Sequence, residues 1–368
     1  MSIEFVKLKR QYDMFAPEYE EAGLRAMRSG WYIMGNELKT FEQQFAAYHG
    51  MEYCIGVNSG LDALVLAVRA LDIGPGDEVI VPANTYIASI LGVTENGATP
   101  VFVEPDEYYC LDADKAEAAI TDRTKAILPV NLYGQAADMG KICEIAKCHN
   151  LYVIEDCAQS HGAALDGHLT GTFSTISCFS FYPTKPLGAL GDSGALLTND
   201  KALAEKLKKL RNYGSGVKYV NELTGMNSRL DEVQAAILQV GLIHLKEGNE
   251  YRRKIAERYL SEIHNPLIEL PKIRRNAYHV FHIFALRCKE RDALQKHLEN
   301  NGVKTLIHYP IPPHMQQCYS YLGYKEGDFP VSEAYAKQEL SLPIYVGLPD
   351  EEVTQIIHVV NSFKGEKL

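Results

Sequence analysis

The sequence has little of what marks membrane, secreted or nucleic-acid-binding proteins. Its 368 residues hold no apolar run of the roughly 20 residues that a membrane-spanning helix needs. The opening stretch MSIEFVKLKR mixes charges among its apolar residues, so neither a signal peptide nor a membrane span is expected. Eight cysteines occur without a C-x-x-C pair or regular spacing, which argues against a disulfide framework or a zinc knuckle. Cys54, Cys178 and Cys288 fall in apolar runs and read as small core residues of a reduced, cytoplasmic protein. Positive charge is scarce: 37 Lys and Arg stand against 47 Asp and Glu, a net charge of −10. The densest basic cluster, Lys206, Lys208, Lys209 and Arg211, has helical spacing and reads as a solvated face, so no nucleic acid is expected as partner. Any anionic ligand must be held locally, by backbone N–H groups and single side chains. There are no internal repeats and no low-complexity tracts. The single tryptophan, Trp31, sits in a Ser29-Gly30-Trp31-Tyr32 break between two helical patterns. It reads either as a core anchor or as part of a site rim.

What the sequence does have is alternation. Apolar runs at Tyr53–Val57, Glu78–Val81, Pro100–Val103, Ala126–Val130, Tyr152–Ile154 and Ile176–Phe181 read as strands. Between them, Leu61–Leu71 and Met139–His149 carry helical periodicity. A further helix starting near Asn36, a possible N-cap, places Leu38, Phe41, Phe45 and Tyr48 at helical spacing. Regular strand-helix alternation predicts an α/β architecture with a mainly parallel sheet in a large domain. After Thr198 helices dominate, at Lys201–Arg211 and Leu230–Leu245, followed by a charged bridging segment, Glu247–Ile263. Beyond about Pro266 the character changes, with a strand expected over Val280–Arg287 and helices over Asp292–Asn301 and Glu351–Phe363. A domain boundary near residue 246 divides the chain into 1–245 and a smaller C-terminal α/β domain, 246–368.

Chemistry concentrates between Leu151 and Thr198. One strand-like run ends in Glu155-Asp156 and the next in Pro183-Thr184-Lys185. In parallel sheets ligands bind beyond the carboxyl ends of strands. A lysine and a carboxylate brought together there suit carbonyl chemistry with pyridoxal phosphate (PLP): the amine forms a Schiff base and the carboxylate keeps the ring nitrogen protonated. Asp156 also fits a plain helix N-cap. Earlier, Asn58-Ser59-Gly60 joins a strand to a helix, a geometry that aims free N–H groups at an anion or forms an ordinary capped connection. Other patterns fail. Gly134–Lys141 has one residue too many for a phosphate-binding P-loop and Ile142 where Ser or Thr is required. Gly188–Gly191 lacks the dinucleotide spacing. His279 and His282, on a strand-like run, point to opposite faces, so no metal site is expected. Asp156, Ser160 and His161 lie too close in sequence to converge as a hydrolase triad.

Five motifs in fixed order carry a more specific resemblance: Asn58–Leu64 (NSGLDAL), Pro82–Tyr86 (PANTY), Glu155–Gln159 (EDCAQ), Ser180–Lys185 (SFYPTK) and Arg211–Gly214 (RNYG). With Gly225–Asp231 (GMNSRLD) and His308-Tyr309-Pro310 they span nearly the whole chain. The sequence resembles the DegT/StrS-type PLP-dependent nucleotide-sugar aminotransferases. The resemblance implies a fold-type-I PLP transferase like aspartate aminotransferase. Lys185 resembles the Schiff-base lysine and proton shuttle, and desolvation is expected to depress its pKa. Asp156 matches the partner of the pyridine nitrogen, Gln159 a donor to the ring hydroxyl oxygen and Tyr86 the aromatic that stacks on the ring. Gly60, Leu61 and Ser180 match the phosphate cradle. Asn227 matches a residue that reaches that phosphate from the neighbouring subunit, implying a homodimer with shared sites. Tyr182, Lys218, Tyr219, His308 and Tyr309 are expected to line the sugar and pyrophosphate pocket. Pro186 stands where many relatives carry Asn, which removes one N–H and makes contacts of that Asn doubtful here. The SGLDAL stretch resembles members that aminate C-3 of a dTDP-linked 3-keto-6-deoxyhexose with glutamate as donor, for glycan or lipopolysaccharide synthesis. Alternatives are a C-4 aminotransferase acting on a UDP or GDP sugar, a PLP lyase, and a non-catalytic regulatory relative.

Overall fold

The computed structural model of the chain describes residues 2–365. At its centre lies a seven-stranded sheet built from β1 (Tyr53–Val57), β2 (Glu78–Pro82), β3 (Thr99–Val103), β4 (Thr124–Ile127), β5 (Tyr152–Asp156), β6 (Ile176–Ser180) and β7 (Gly194–Thr198). Across the sheet the order is β1-β7-β6-β5-β4-β2-β3. Only β7 runs against its neighbours, antiparallel to both β1 and β6. The remaining pairings are parallel. β2 and β7 are buried at every residue, as strands covered by helices on both faces must be.

Helices α1 (Asn36–His49), α2 (Gly60–Ala70) and α3 (Ile87–Thr94) pack around this sheet. α2 is buried from Ala63 to Val68, and its Ser59 N-cap accepts from Asp62 N at 3.0 Å. α1 is capped differently from the expectation. Asn36 is its first residue, not its cap, and the carboxylate of distant Glu232 accepts from the N–H groups of Gly35 (2.7 Å), Glu37 (2.8 Å) and Leu38 (3.2 Å). A carboxylate at that position satisfies orphan donors and faces the positive end of the helix.

A second, smaller core gathers Tyr259, Phe284, Leu286, Leu294, Leu340 and Val353 around a three-stranded antiparallel sheet. Its strands, in order, are β8 (Ile268–Glu269), β9 (Phe284–Cys288) and β10 (Glu339–Leu342). The 31-residue helix α4 (Glu232–Glu262) joins the two cores. Its early residues Ala235 and Leu238 pack under the large sheet, and Ile255 and Tyr259 enter the small core. Residue 246, expected as a domain boundary, lies within this helix, so a division there concerns packing units and not a break in the chain. Ile3 also joins the second core: its N–H donates to Gly302 O at 2.7 Å and its carbonyl accepts from Lys304 N at 2.9 Å. The strand expected from Val280 begins later, at Phe284, because Phe281 takes a positive φ of 48°. There the N–H of Phe281 turns to His279 Nδ1, at 2.9 Å.

Candidate active site

The carboxyl edge of the large sheet opens into a cavity of about 610 Å³, closed on its far side by residues of the small unit such as Leu306, His308, Tyr309 and Ile344. Side chains alternate along β5, so its last two residues face opposite ways. Glu155 turns from the cavity and accepts from Asn131 Nδ2 and Gly171 N, both at 2.8 Å. Asp156 lines the cavity at 4% exposure. Its Oδ2 accepts from Ser89 Oγ at 2.8 Å, and its Oδ1 from Ala158 N at 3.0 Å. That second bond closes an Asx turn, and no helix follows. Burial raises the Asp156 pKa, while the two hydrogen bonds and the Lys185 charge oppose the rise.

Lys185 reaches the same cavity from the turn after β6, where its backbone N–H donates to Tyr182 O at 2.8 Å. The side chain as a whole is half-buried, and its amine has no hydrogen-bond or ion-pair partner among the described residues. Desolvation lowers its pKa from 10.5 to about 8, with the Asp156 carboxylate holding it up in part.

The third wall is the first turn of α2. Ser59 takes the N–H groups of Asp62 and Ala63, which leaves those of Gly60 and Leu61 without an acceptor among the described residues. A Cβ on Gly60 would stand 2.5 Å from Ser180 Cβ, so only glycine lets helix and strand approach this closely. Free N–H groups, the positive helix end and the Ser180 hydroxyl make an anion cradle.

Tyr86 precedes α3, lines the cavity at 54% exposure, and holds its ring 5.3 Å from that of Tyr309. Gln159 Oε1 accepts from Tyr133 N at 2.7 Å, and its Nε2 donates to the Tyr309 hydroxyl at 3.1 Å. His308 is fixed from behind. Its Nδ1 lies 2.8 Å from Ser341 Oγ, its N–H donates to Glu339 Oε2 at 2.6 Å, and its carbonyl accepts from the Tyr133 hydroxyl. Burial and the Lys185 charge lower the His308 pKa to about 4, so the ring is neutral. Glu339 is 1% exposed, and burial raises its pKa to about 8.

Gly60, Leu61, Tyr86, Asp156, Gln159, Ser180, Tyr182, Lys185, His308 and Tyr309 thus share one cavity. Lys218, Tyr219 and Asn227 do not line it. The first two cross the tip of an exposed hairpin (Ser215–Val217 with Val220–Asn221), where Tyr219 is 87% exposed, and Asn227 is exposed and bridges antiparallel to Asn212. Trp31 is neither core nor rim: it is 65% exposed, and its Nε1 donates to Ile33 O at 2.7 Å. The sequence pattern left Ser89, Arg252, His282, Glu339 and Ser341 unassigned. Glu339 and Ser341 alternate with Leu340 and Leu342 as in any half-polar strand, and nothing local distinguishes them.

The residues present fit PLP. An unpaired amine with a lowered pKa, a buried carboxylate and an anion cradle surround one cavity, matching an aldehyde, a ring nitrogen and a phosphate. Fold and site together define a fold-type-I, PLP-dependent transferase. Residues 16–361 match the DegT/DnrJ/EryC1/StrS aminotransferase family, and the chain belongs to it. The chain is 52% identical to the dTDP-3-amino-3,6-dideoxy-alpha-D-galactopyranose transaminase of Aneurinibacillus thermoaerophilus over 362 residues, 98% of this chain and 99% of that protein. It is 47% identical to the dTDP-3-amino-3,4,6-trideoxy-alpha-D-glucose transaminase of Streptomyces venezuelae, over 98% of this chain and 96% of that one. Among solved structures, S. venezuelae DesV in complex with a ketimine intermediate matches with a TM-score of 0.96 at 48% identity, covering 98% of both chains.

Proposed function

We propose that the protein transfers an amino group from glutamate to C-3 of a dTDP-linked 3-keto-6-deoxyhexose. The observation that carries the reading is the presence of the Lys185 amine and the Asp156 carboxylate in one cavity beside an anion cradle. PLP supplies an aldehyde that condenses with amines and a ring that takes up electrons. Asp156 holds a proton at the ring nitrogen, and Gln159 donates to the ring hydroxyl oxygen. Gly60, Leu61 and Ser180 hold the phosphate, and Tyr86 covers the ring. The Lys185 amine, with its pKa near 8, takes and returns the proton at the reacting carbon of donor and acceptor. Tyr182, His308 and Tyr309 line the space for the sugar.

In this reading the protein works as a homodimer in which Asn227, Lys218 and Tyr219 serve the cavity of the other copy. Their exposure, together with that of Val217, Val220, Trp31 and Tyr32, supports a covered face there. Among the described residues no helix is long and apolar enough to cross a membrane. A cytoplasmic enzyme supplying an amino sugar for a surface glycan such as lipopolysaccharide accords with that. The test has two stages. Incubating the PLP-loaded protein with glutamate alone is expected to release one equivalent of 2-oxoglutarate per site. Adding the 3-keto-sugar nucleotide then yields a product whose nitrogen, located by NMR, is on C-3. Amination at C-4, or no keto acid from glutamate, overturns the reading.

A further inference from the structure

A buried guanidinium without an acid stands in the cavity wall. Arg252, on α4, is 3% exposed and lines the cavity. Its Nη1 makes two long bonds, to Gly248 O at 3.3 Å and Asn249 Oδ1 at 3.4 Å. Its Nε and Nη2 have no acceptor among the described residues, and no carboxylate pairs with it. Burial alone lowers its pKa to about 10. The other buried arginine behaves ordinarily: Arg211, 4% exposed, meets the Glu42 carboxylate and donates to Gly56 O at 2.7 Å. The half-buried Arg274 and Arg287 are likewise paired, with Asp106 and Glu269. Buried charges are costly unless paired. Arg252 is therefore a cation that the chain desolvates and leaves unmatched.

His282 stands with it. It lines the same cavity at 8% exposure, and its ring nitrogens have no partner among the described residues. Burial, helped by the charges of Lys185 and Arg252, lowers its pKa and keeps it neutral, so it offers one N–H. It forms no pair with His279, whose ring stacks on Phe281 at 3.9 Å.

Two free guanidinium N–H directions and a neutral imidazole suit a planar two-oxygen anion. A sugar nucleotide carries its pyrophosphate between two bulky groups and must enter by the mouth, where Tyr86 and Tyr182 are 54% and 50% exposed. A 3%-exposed arginine is accessible only to a small anion group. Arg252, His282 and Lys185 line one cavity, so an anion held by the first two can present an attached amine toward the lysine. We propose that Arg252 and His282 form the subsite that receives a carboxylate of the amino donor. This rests on the transaminase reading above and adds where the donor is recognised.

Glutarate, a dicarboxylate without an amine, is the probe. Calorimetric titration of the holoenzyme with glutarate is expected to show binding that Arg252→Gln weakens about tenfold or more. The same variant is expected to lower the ratio of donor to acceptor half-reaction kcat/KM by a comparable factor. Inorganic pyrophosphate is titrated in parallel. Unchanged glutarate affinity in Arg252→Gln, no glutarate binding by the wild type, or loss of pyrophosphate binding in place of glutarate binding each overturns the assignment. Should Arg252→Gln fail to fold, Arg252→Lys carries the test: it keeps the charge and loses the fork, so undiminished glutarate affinity refutes the subsite. Glutarate binding that depends on Arg252 in a protein that makes no keto acid from glutamate refutes the transaminase reading and spares the subsite. Transamination with Arg252-independent glutarate binding refutes the subsite alone.

Discussion

Removing the amine of Lys185 is expected to make the cofactor-free protein more stable. Its pKa falls from 10.5 to about 8 because folding desolvates the ammonium. At roughly 1.4 kcal/mol per unit this is a cost of about 3 kcal/mol. The sign follows from proton counts. Between pH 8 and pH 10.5 the unfolded chain binds more protons than the folded one, so stability rises with pH through that window. The cost is complete below pH 8. Lys185→Met, which keeps the stem and drops the charge, is therefore expected to gain up to about 3 kcal/mol at pH 7 and almost nothing above about pH 11. Urea unfolding of both cofactor-free proteins at the two pH values measures it. The same shift leaves about one amine in ten neutral at pH 7, against roughly one in three thousand at the ordinary value. The pH dependence of Lys185 acylation, followed by mass spectrometry, should show a midpoint near 8. Asp156→Asn should lower that midpoint further, because the carboxylate is what holds the amine up. Equal stabilities at pH 7, a gain that grows with pH, or a midpoint near 10.5 would refute the reasoning.

Three other outcomes are expected. Gly60→Ala places a Cβ 2.5 Å from Ser180 Cβ, so PLP affinity measured by equilibrium dialysis should fall about tenfold or more with the fold retained by circular dichroism. Glu339 has a folded pKa of about 8, above its ordinary 4.5, so its contribution to stability is complete below pH 4.5 and is lost as pH rises through 8. Glu339→Gln should flatten that decline by on the order of 5 kcal/mol, and an unchanged pH–stability curve would sink the assignment. Asn227→Ala should weaken PLP binding about tenfold without dissociating the dimer in sedimentation, and unaltered affinity counts against shared sites.

Much of the scaffold was legible because buried parallel strands announce themselves as short apolar runs. Asp156 and Lys185 stood out for the same reason, each following such a run in a sheet whose ligands gather at one edge. What escaped involved partners far apart in the chain. The cap of α1 comes from Glu232, nearly two hundred residues after Asn36, and no local pattern announces it. Arg252 sits in the charged segment expected to bridge the domains, and nothing local sets it apart from its charged neighbours as the one that α4 buries. His282 looked like half of a strand pair because the positive φ of Phe281 is invisible in the sequence. Lys218, Tyr219 and Asn227 were expected at the site from the family resemblance, yet they lie outside their own chain's cavity.

The anchoring of Ile3 beside Gly302 and Lys304 bears on how the protein is made. Phe5, Val6 and Leu8, which line the cavity just after it, are synthesised about three hundred residues before Gly302 and Lys304, which pin this stretch. The large sheet can assemble as it is synthesised, whereas the ligand chamber is sealed late. A substitution at Ile3 would therefore be felt around Gly302 and Lys304.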